Sequence, residues 1–165
     1  MESIDGQLCR YNTNMSHEGI RLTTVEEKAR EEEENRALPR IVTTPEKVRV
    51  LLTEGKGLEI DWQDGHRSAW SFAWLREACP CATCNEERKA QGRKPGEPRP
   101  KPTELLPMFT PPAKPAVARP VGRYAIGFDW EDGHKGGIYS WEYLRRVCQC
   151  QECKFARDEA AGKVN

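Results

Sequence analysis

The sequence has no hydrophobic run approaching the roughly 18 residues that a membrane-spanning helix needs, and its mean hydropathy is −0.80. It has no excess charge of either sign, because 26 Lys and Arg residues balance 26 Asp and Glu residues. A balanced surface exerts no general attraction on nucleic acid or anionic lipid, so neither is an expected partner. The opening stretch MESIDGQLCRYNTN lacks a basic segment followed by an apolar one, so no secretory signal is expected and a cytoplasmic address follows. The length, 165 residues, fits one domain with tails and leaves no room for a large multidomain enzyme.

What the chain does have is cysteine. Six of its seven cysteines form two clusters, Cys79-Pro-Cys81-Ala-Thr-Cys84 and Cys148-Gln-Cys150-Gln-Glu-Cys153. Both read C-x-C-x-x-C. A reduced compartment disfavours disulfides, so short-spaced thiols point to metal. Cys9 stands apart as an ordinary thiol.

Two stretches carry little folding signal. Residues 1–40 are polar, with the run Glu31 to Glu34, and read as a charged, flexible tail. Nine of the twelve prolines lie between Pro95 and Pro120, a density that stops helices and central strands. Residues 86–120, and 92–120 in particular, therefore read as an extended, partly polyproline II loop. Its basic residues Arg88, Lys89, Arg93, Lys94, Arg99 and Lys101 have no interleaved aromatic before Phe109, which argues against single-stranded nucleic acid. Residues 156–165 read as a C-terminal tail.

The rest is written twice. IDWQDGHRSAWSFAWLREACPCATC (60–84) matches FDWEDGHKGGIYSWEYLRRVCQCQEC (128–153), with each cysteine 69 positions from its counterpart after a one-residue insertion. Coincidence over paired Trp, His and Cys residues is excluded, so this is an internal duplication. In each copy alternating apolar residues predict a hairpin. Asp64-Gly65 and Asp132-Gly133 predict two-residue type I′ turns. Ser71 and Ser140 predict caps of short helices with Phe72, Leu75 and Cys79, or Trp141, Leu144 and Cys148, on one face. The fold class expected over 41–155 is α+β: a small pseudo-twofold, duplicated domain of β-hairpins and short helices with Cys/His metal sites.

Each cluster supplies three corners of a tetrahedron, one ligand short of a structural zinc site. His66 and His134 occupy equivalent places and complete the count. Spacing does not decide which histidine joins which cluster. The crossed pairing, His134 with Cys79, Cys81 and Cys84, and His66 with Cys148, Cys150 and Cys153, would tie the copies together. Zinc is favoured over an iron–sulfur cluster, the competitor that also takes thiolates, because the spacing is not a ferredoxin pattern. Trp62, Trp74, Trp130 and Trp141 read as packing residues. Arg76 and Arg145, one turn before the clusters, are placed where a cation would lower thiolate pKa values, but read first as solvated or salt-bridged.

VGRYAIGFDWEDGHKGGIYSWEYLR (121–145) and LEIDWQDGHRSAWSFAWLREACPCATC (58–84) resemble the gamma-butyrobetaine hydroxylase-like N-terminal domain family over about residues 43–153. The resemblance implies a small α+β unit that occurs alone in short bacterial proteins, ahead of the oxygenase domain of gamma-butyrobetaine and trimethyllysine hydroxylases, and appended to Mrp-type iron–sulfur carrier ATPases. It also implies a structural zinc on Cys79, Cys81, Cys84 and His134, the crossed pairing. The second cluster is not part of that pattern and rests on the duplication alone. Hydroxylase activity does not carry over, since no H-x-D or H-x-E occurs at His17, His66 or His134 to begin a facial triad.

No nucleophile–base pair, phosphate loop or carboxylate pair is evident. The expectation is a non-catalytic zinc-binding module, with one zinc and a second at the later cluster, acting in association with another protein or as a homodimer. The alternative is an accessory of iron–sulfur cluster assembly or transfer that holds a cluster on the second cysteine set.

Overall fold

A computed structural model describes Thr24, Val25, Lys28, residues 36–100, residues 113–160 and Gly162. It divides into two units at Arg36/Ala37. In the first, Lys28 N–H donates to the Thr24 carbonyl at 3.0 Å, a single helical turn. Most of the expected N-terminal tail lies outside the described residues.

The second unit holds both sequence copies. A short helix, α1 (Arg40–Thr43), leads into β1 (Pro45–Val50), β2 (Gly57–Trp62) and β3 (Arg67–Ser71), followed by α2 (Phe72–Glu77) and α3 (Ala82–Ala90). The second copy runs β4 (Pro115–Val121), β5 (Ala125–Trp130), β6 (Gly137–Ser140), α4 (Trp141–Arg146) and α5 (Gln151–Ala160). Each copy makes an antiparallel three-stranded sheet, ordered β1-β2-β3 and β4-β5-β6. Both first pairs carry an irregularity at the same place, between Pro45 and Lys47 and between Pro115 and Val117.

The strands form because their residues alternate. Leu58, Ile60 and Trp62 are buried on β2, as are Ile126, Phe128 and Trp130 on β5. The opposite face is polar: Arg49 bonds Glu59 and Asp61, each at 3.0 Å, and Arg119 bonds Asp129. One apolar cluster takes residues from both copies, with Phe72 edge-on to Phe128 at 6.2 Å. The caps form as expected: Ser71 Oγ accepts from Trp74 N–H at 3.2 Å and Ser140 Oγ from Tyr143 N–H at 3.1 Å. Leu75, Cys79, Leu144 and Cys148 then turn inward and are fully buried.

Polar atoms stitch the copies together. Trp70 Nε1 donates to the Val147 carbonyl at 3.1 Å. Its counterpart Tyr139 donates through Oη to the Leu75 carbonyl at 2.7 Å, and Tyr143 Oη donates to the Ala78 carbonyl.

Several expectations are corrected. Residues 86–120 are not one loop: α3 continues to Ala90, and Pro115–Val121 is a strand. It tolerates Pro115 and Pro120 because β4 is a sheet edge, where a missing N–H breaks no inner ladder; residues 101–112 lie outside the described residues. The C-terminal tail begins later than expected, since α5 runs to Ala160. Residues 37–40 join the domain, with Leu38 N–H on Glu142 Oε1 at 3.3 Å. The hairpin turns are not type I′, because no described non-glycine residue has positive φ. Instead Gly65 N–H closes on the Trp62 carbonyl at 3.0 Å and Gly133 N–H on that of Trp130 at 3.1 Å. The glycines sit at φ 82° and 85°, giving three-residue loops that end in a left-handed glycine. Trp74 and Trp141 pack against the core half-buried, and Trp70, not singled out in the sequence, is buried.

Candidate metal centres

The loop glycine turns the chain so that His66 and His134 leave the hairpin tips toward the other copy. Asp64 Oδ1 accepts from His66 N–H at 3.1 Å, and Asp132 Oδ1 from His134 N–H at 3.0 Å, fixing the backbone from which each ring projects. The cysteines come from the helix ends. Cys79 and Cys148 follow α2 and α4 into the core. Cys81 caps α3, its sulfur accepting from Cys84 N–H at 3.4 Å, and Cys150 Sγ accepts likewise from Cys153 N–H at 3.3 Å.

The pairing is crossed. His134 Nε2 lies 3.2, 3.5 and 3.9 Å from the sulfurs of Cys79, Cys81 and Cys84; this is site 1. His66 Nε2 lies 3.2, 3.6 and 3.7 Å from those of Cys148, Cys150 and Cys153; this is site 2. Within each site the four donor atoms are all within 4.8 Å of one another. A tetrahedral zinc with Zn–S about 2.3 Å and Zn–N about 2.0–2.1 Å places sulfur and nitrogen roughly 3.6 Å apart. Both donor sets bracket that value, so both groups can hold a metal ion, and the sequence-derived ligands fall together as two sets of four.

The electrostatics suit ligation. Burial, reinforced by Arg145 and Arg76 respectively, pushes His66 and His134 below the usual imidazole range, toward the neutral form that binds metal. Burial pushes the Cys79 thiol up to about 12, so an ion must displace a proton there. At Cys81 burial acts upward, but hydrogen bonds from the Cys84 backbone and neighbouring thiols, with the Arg76 charge, bring it below the ordinary value.

Arg76 and Arg145 are salt-bridged, one of the states expected of them, but their partners were not legible in the sequence. Arg76 Nε donates to Asp132 Oδ2 at 2.7 Å while Nη1 reaches Cys84 Sγ at 3.6 Å. Arg145 does the same with Asp64 at 2.9 Å and Cys153 Sγ at 3.5 Å. Each arginine thus joins its own copy's last thiol to the aspartate that positions the other copy's histidine. Arg88 and Arg157, also 69 apart, donate to the carbonyls of Glu77 and Arg146, both at 3.0 Å; extending the repeat four residues past the cysteines would have found them. The hydroxyl of Ser68 has no counterpart in the second copy. Trp62 Nε1 donates to Ser68 Oγ at 2.9 Å, which donates to Cys148 Sγ at 3.0 Å. Gly137 stands in the place of Ser68, and Trp130 Nε1 is buried without a partner.

Residues 49–145 match the profile of the family described as gamma-butyrobetaine hydroxylase-like, N-terminal. The chain belongs to that family. The match takes in all four groups of site 1 and stops short of Cys148, so the thiols of site 2 lie beyond it. Among solved structures, a protein of unknown function of the DUF971 family from Acidithiobacillus ferrooxidans is 32% identical to this gamma-butyrobetaine hydroxylase-like chain; the match covers 64% of this chain and 93% of that one, with a TM-score of 0.43. Two proteins solved by NMR are 27% and 22% identical, cover 74% and 73% of this chain and 86% and 87% of theirs, and give TM-scores of 0.41 and 0.42. No curated protein matches. Among the described residues no helix is long and apolar enough to cross a membrane.

Proposed function

We propose that the protein is a non-catalytic zinc module, carrying one ion on Cys79, Cys81, Cys84 and His134 and a second on Cys148, Cys150, Cys153 and His66, that works in a reduced compartment by association with another protein. The observation that carries this reading is the crossed donor geometry: two compact sets of three sulfurs and one imidazole nitrogen, each spaced for a single tetrahedral ion. An iron–sulfur cluster distributes its ligands over several irons and needs donors further apart than one ion does, which supports zinc over the cluster-carrier alternative. Four protein ligands per ion leave no coordination position for a substrate, which supports binding rather than catalysis. Bound zinc would act as a fold-holding cross-link between the copies.

The test is elemental analysis with native mass spectrometry on anaerobically purified chain. Two zinc ions per chain and no visible absorbance support the reading. A band near 400 nm with iron and sulfide would replace it with the cluster reading, and one ion per chain would remove site 2.

A further inference from the structure

The two sites differ in what holds their second and third cysteines. Cys81 and Cys84 belong to α3 and its cap, which are fastened to the body without them. Arg88 is 4% exposed and bonds the Glu77 carbonyl. The chain beyond α3 folds back: Arg93 reaches Glu77 Oε2 at 3.4 Å and the Glu97 carbonyl at 2.7 Å, and Arg99 reaches Glu87 at 3.3 Å. Gly96 lies against the Trp74 indole so closely that a Cβ there would sit 1.9 Å from Nε1. None of these contacts needs an ion.

Cys150 and Cys153 belong to α5 and the residue before it, and α5 buries no residue. Among the described residues, and apart from its thiols, α5 is held by Arg157, whose Nη1 and Nη2 donate to the Arg146 and Cys148 carbonyls at 3.0 and 2.7 Å from an exposed position. A ten-residue helix with so little packing is marginal in water. Beside it a cleft of about 620 Å³, lined by His66, Arg67, Cys150, Glu152 and Phe155 among others, opens onto two of the four donors.

We propose that site 2 is an exchangeable metal site, from which a thiol-bearing acceptor withdraws the ion through this cleft, and that helix Gln151–Ala160 is released when the ion leaves. The proposal rests on the metal reading above and adds a division of labour to it: site 1 is permanent, site 2 passes its ion on. In the exchange step the acceptor thiol gives its proton to solvent and forms a sulfur–metal bond. The Cys150 sulfur–metal bond breaks and that sulfur takes up a proton. No electron changes hands. Because Cys150 faces the cleft, it leaves first, and the remaining donors follow as α5 loosens.

The experiment loads the full chain with zinc, counts ions by native mass, then times release to a chromophoric chelator with and without glutathione or a Cys-x-x-Cys peptide. Two phases of one ion each are expected. The faster should lead by about tenfold or more, accelerate with thiol concentration, and vanish in Cys150→Ser. Acceleration by the peptide alone would assign a protein acceptor, and acceleration by both a general thiol. Hydrogen exchange on the parent protein after the fast phase should show residues 151–160 unprotected and 82–90 still protected, a readout independent of how the variant folds. Equal release rates, or retained protection over 151–160, would overturn the proposal while leaving two-zinc binding intact. A chain that never takes a second ion fails at the initial count, and it is then the reading of site 2 that fails.

Discussion

Replacing Asp132 by alanine should weaken zinc at site 1 by about 10- to 100-fold, or roughly 1.4–2.7 kcal/mol, the usual effect of losing an outer-shell partner. The magnitude follows from two hydrogen bonds removed together. Oδ1 no longer holds the His134 N–H, at 3.0 Å, and Oδ2 no longer receives Arg76 Nε, at 2.7 Å. Arg76 is then left 11% exposed without its carboxylate, still beside Cys84. Asp132 itself is 47% exposed, so water takes over part of its role and the effect belongs at the lower end of the range. Asp64, at 19% exposure, bonds His66 and Arg145 in the same way, so Asp64→Ala should weaken site 2 by more than Asp132→Ala weakens site 1. The assay is chelator competition in a Cys150→Ser background that isolates site 1, paired with a Cys81→Ser background for site 2. A change under twofold for Asp132→Ala, or an Asp132→Ala effect felt at site 2, would refute the account of how the histidines are aimed.

Leu75→Ala and Leu144→Ala remove fully buried side chains and should each cost about 2–5 kcal/mol, read as a lower urea midpoint at saturating zinc. Tyr139→Phe deletes the bond to the Leu75 carbonyl across the copies and should cost about 1–2 kcal/mol with metal content unchanged. Gly96→Ala combines a φ of 83° with a clash on Trp74 and should detach residues 93–99, seen as raised indole fluorescence quenching by acrylamide and proteolysis near Arg93. Acidification should release both ions, because protons compete for the sulfurs and imidazoles that the ion requires unprotonated. The sign is fixed: affinity falls as pH falls, and zinc uptake releases protons, measurable in weakly buffered solution.

Most of the site is legible in the chain because its ligands are rare residues repeated at one offset. Trp, His and Cys recurring together show a duplication directly, and the duplication predicts that whatever completes one cluster completes the other. Spacing does not reveal the crossing. It depends on where a hairpin tip points relative to a helix end 50 to 87 residues away in sequence, a property of packing. The strand Pro115–Val121 is hidden because proline density suppresses a strand signal everywhere except at an edge, and edge position belongs to the assembled sheet. Turn type is ambiguous for a related reason. Asp-Gly serves both a two-residue and a three-residue loop, and the register of Asp61 opposite Arg67 selects the longer one. Ser68 and Gly137 are the subtlest case. The one-residue insertion after Lys135 hides their equivalence in the aligned sequence, yet their difference gives one tryptophan a hydroxyl partner and leaves the other with none.

The crossed histidines also say something about ancestry. Each half contributes three corners of its own tetrahedron and the last corner of its neighbour's, so neither half alone is a complete chelator. A single-copy forerunner with this arrangement would have filled both sites only as a pair of identical chains exchanging imidazoles. Joining two such copies in one polypeptide would turn a concentration-dependent assembly into an intramolecular one, and would leave the two donor sets free to diverge.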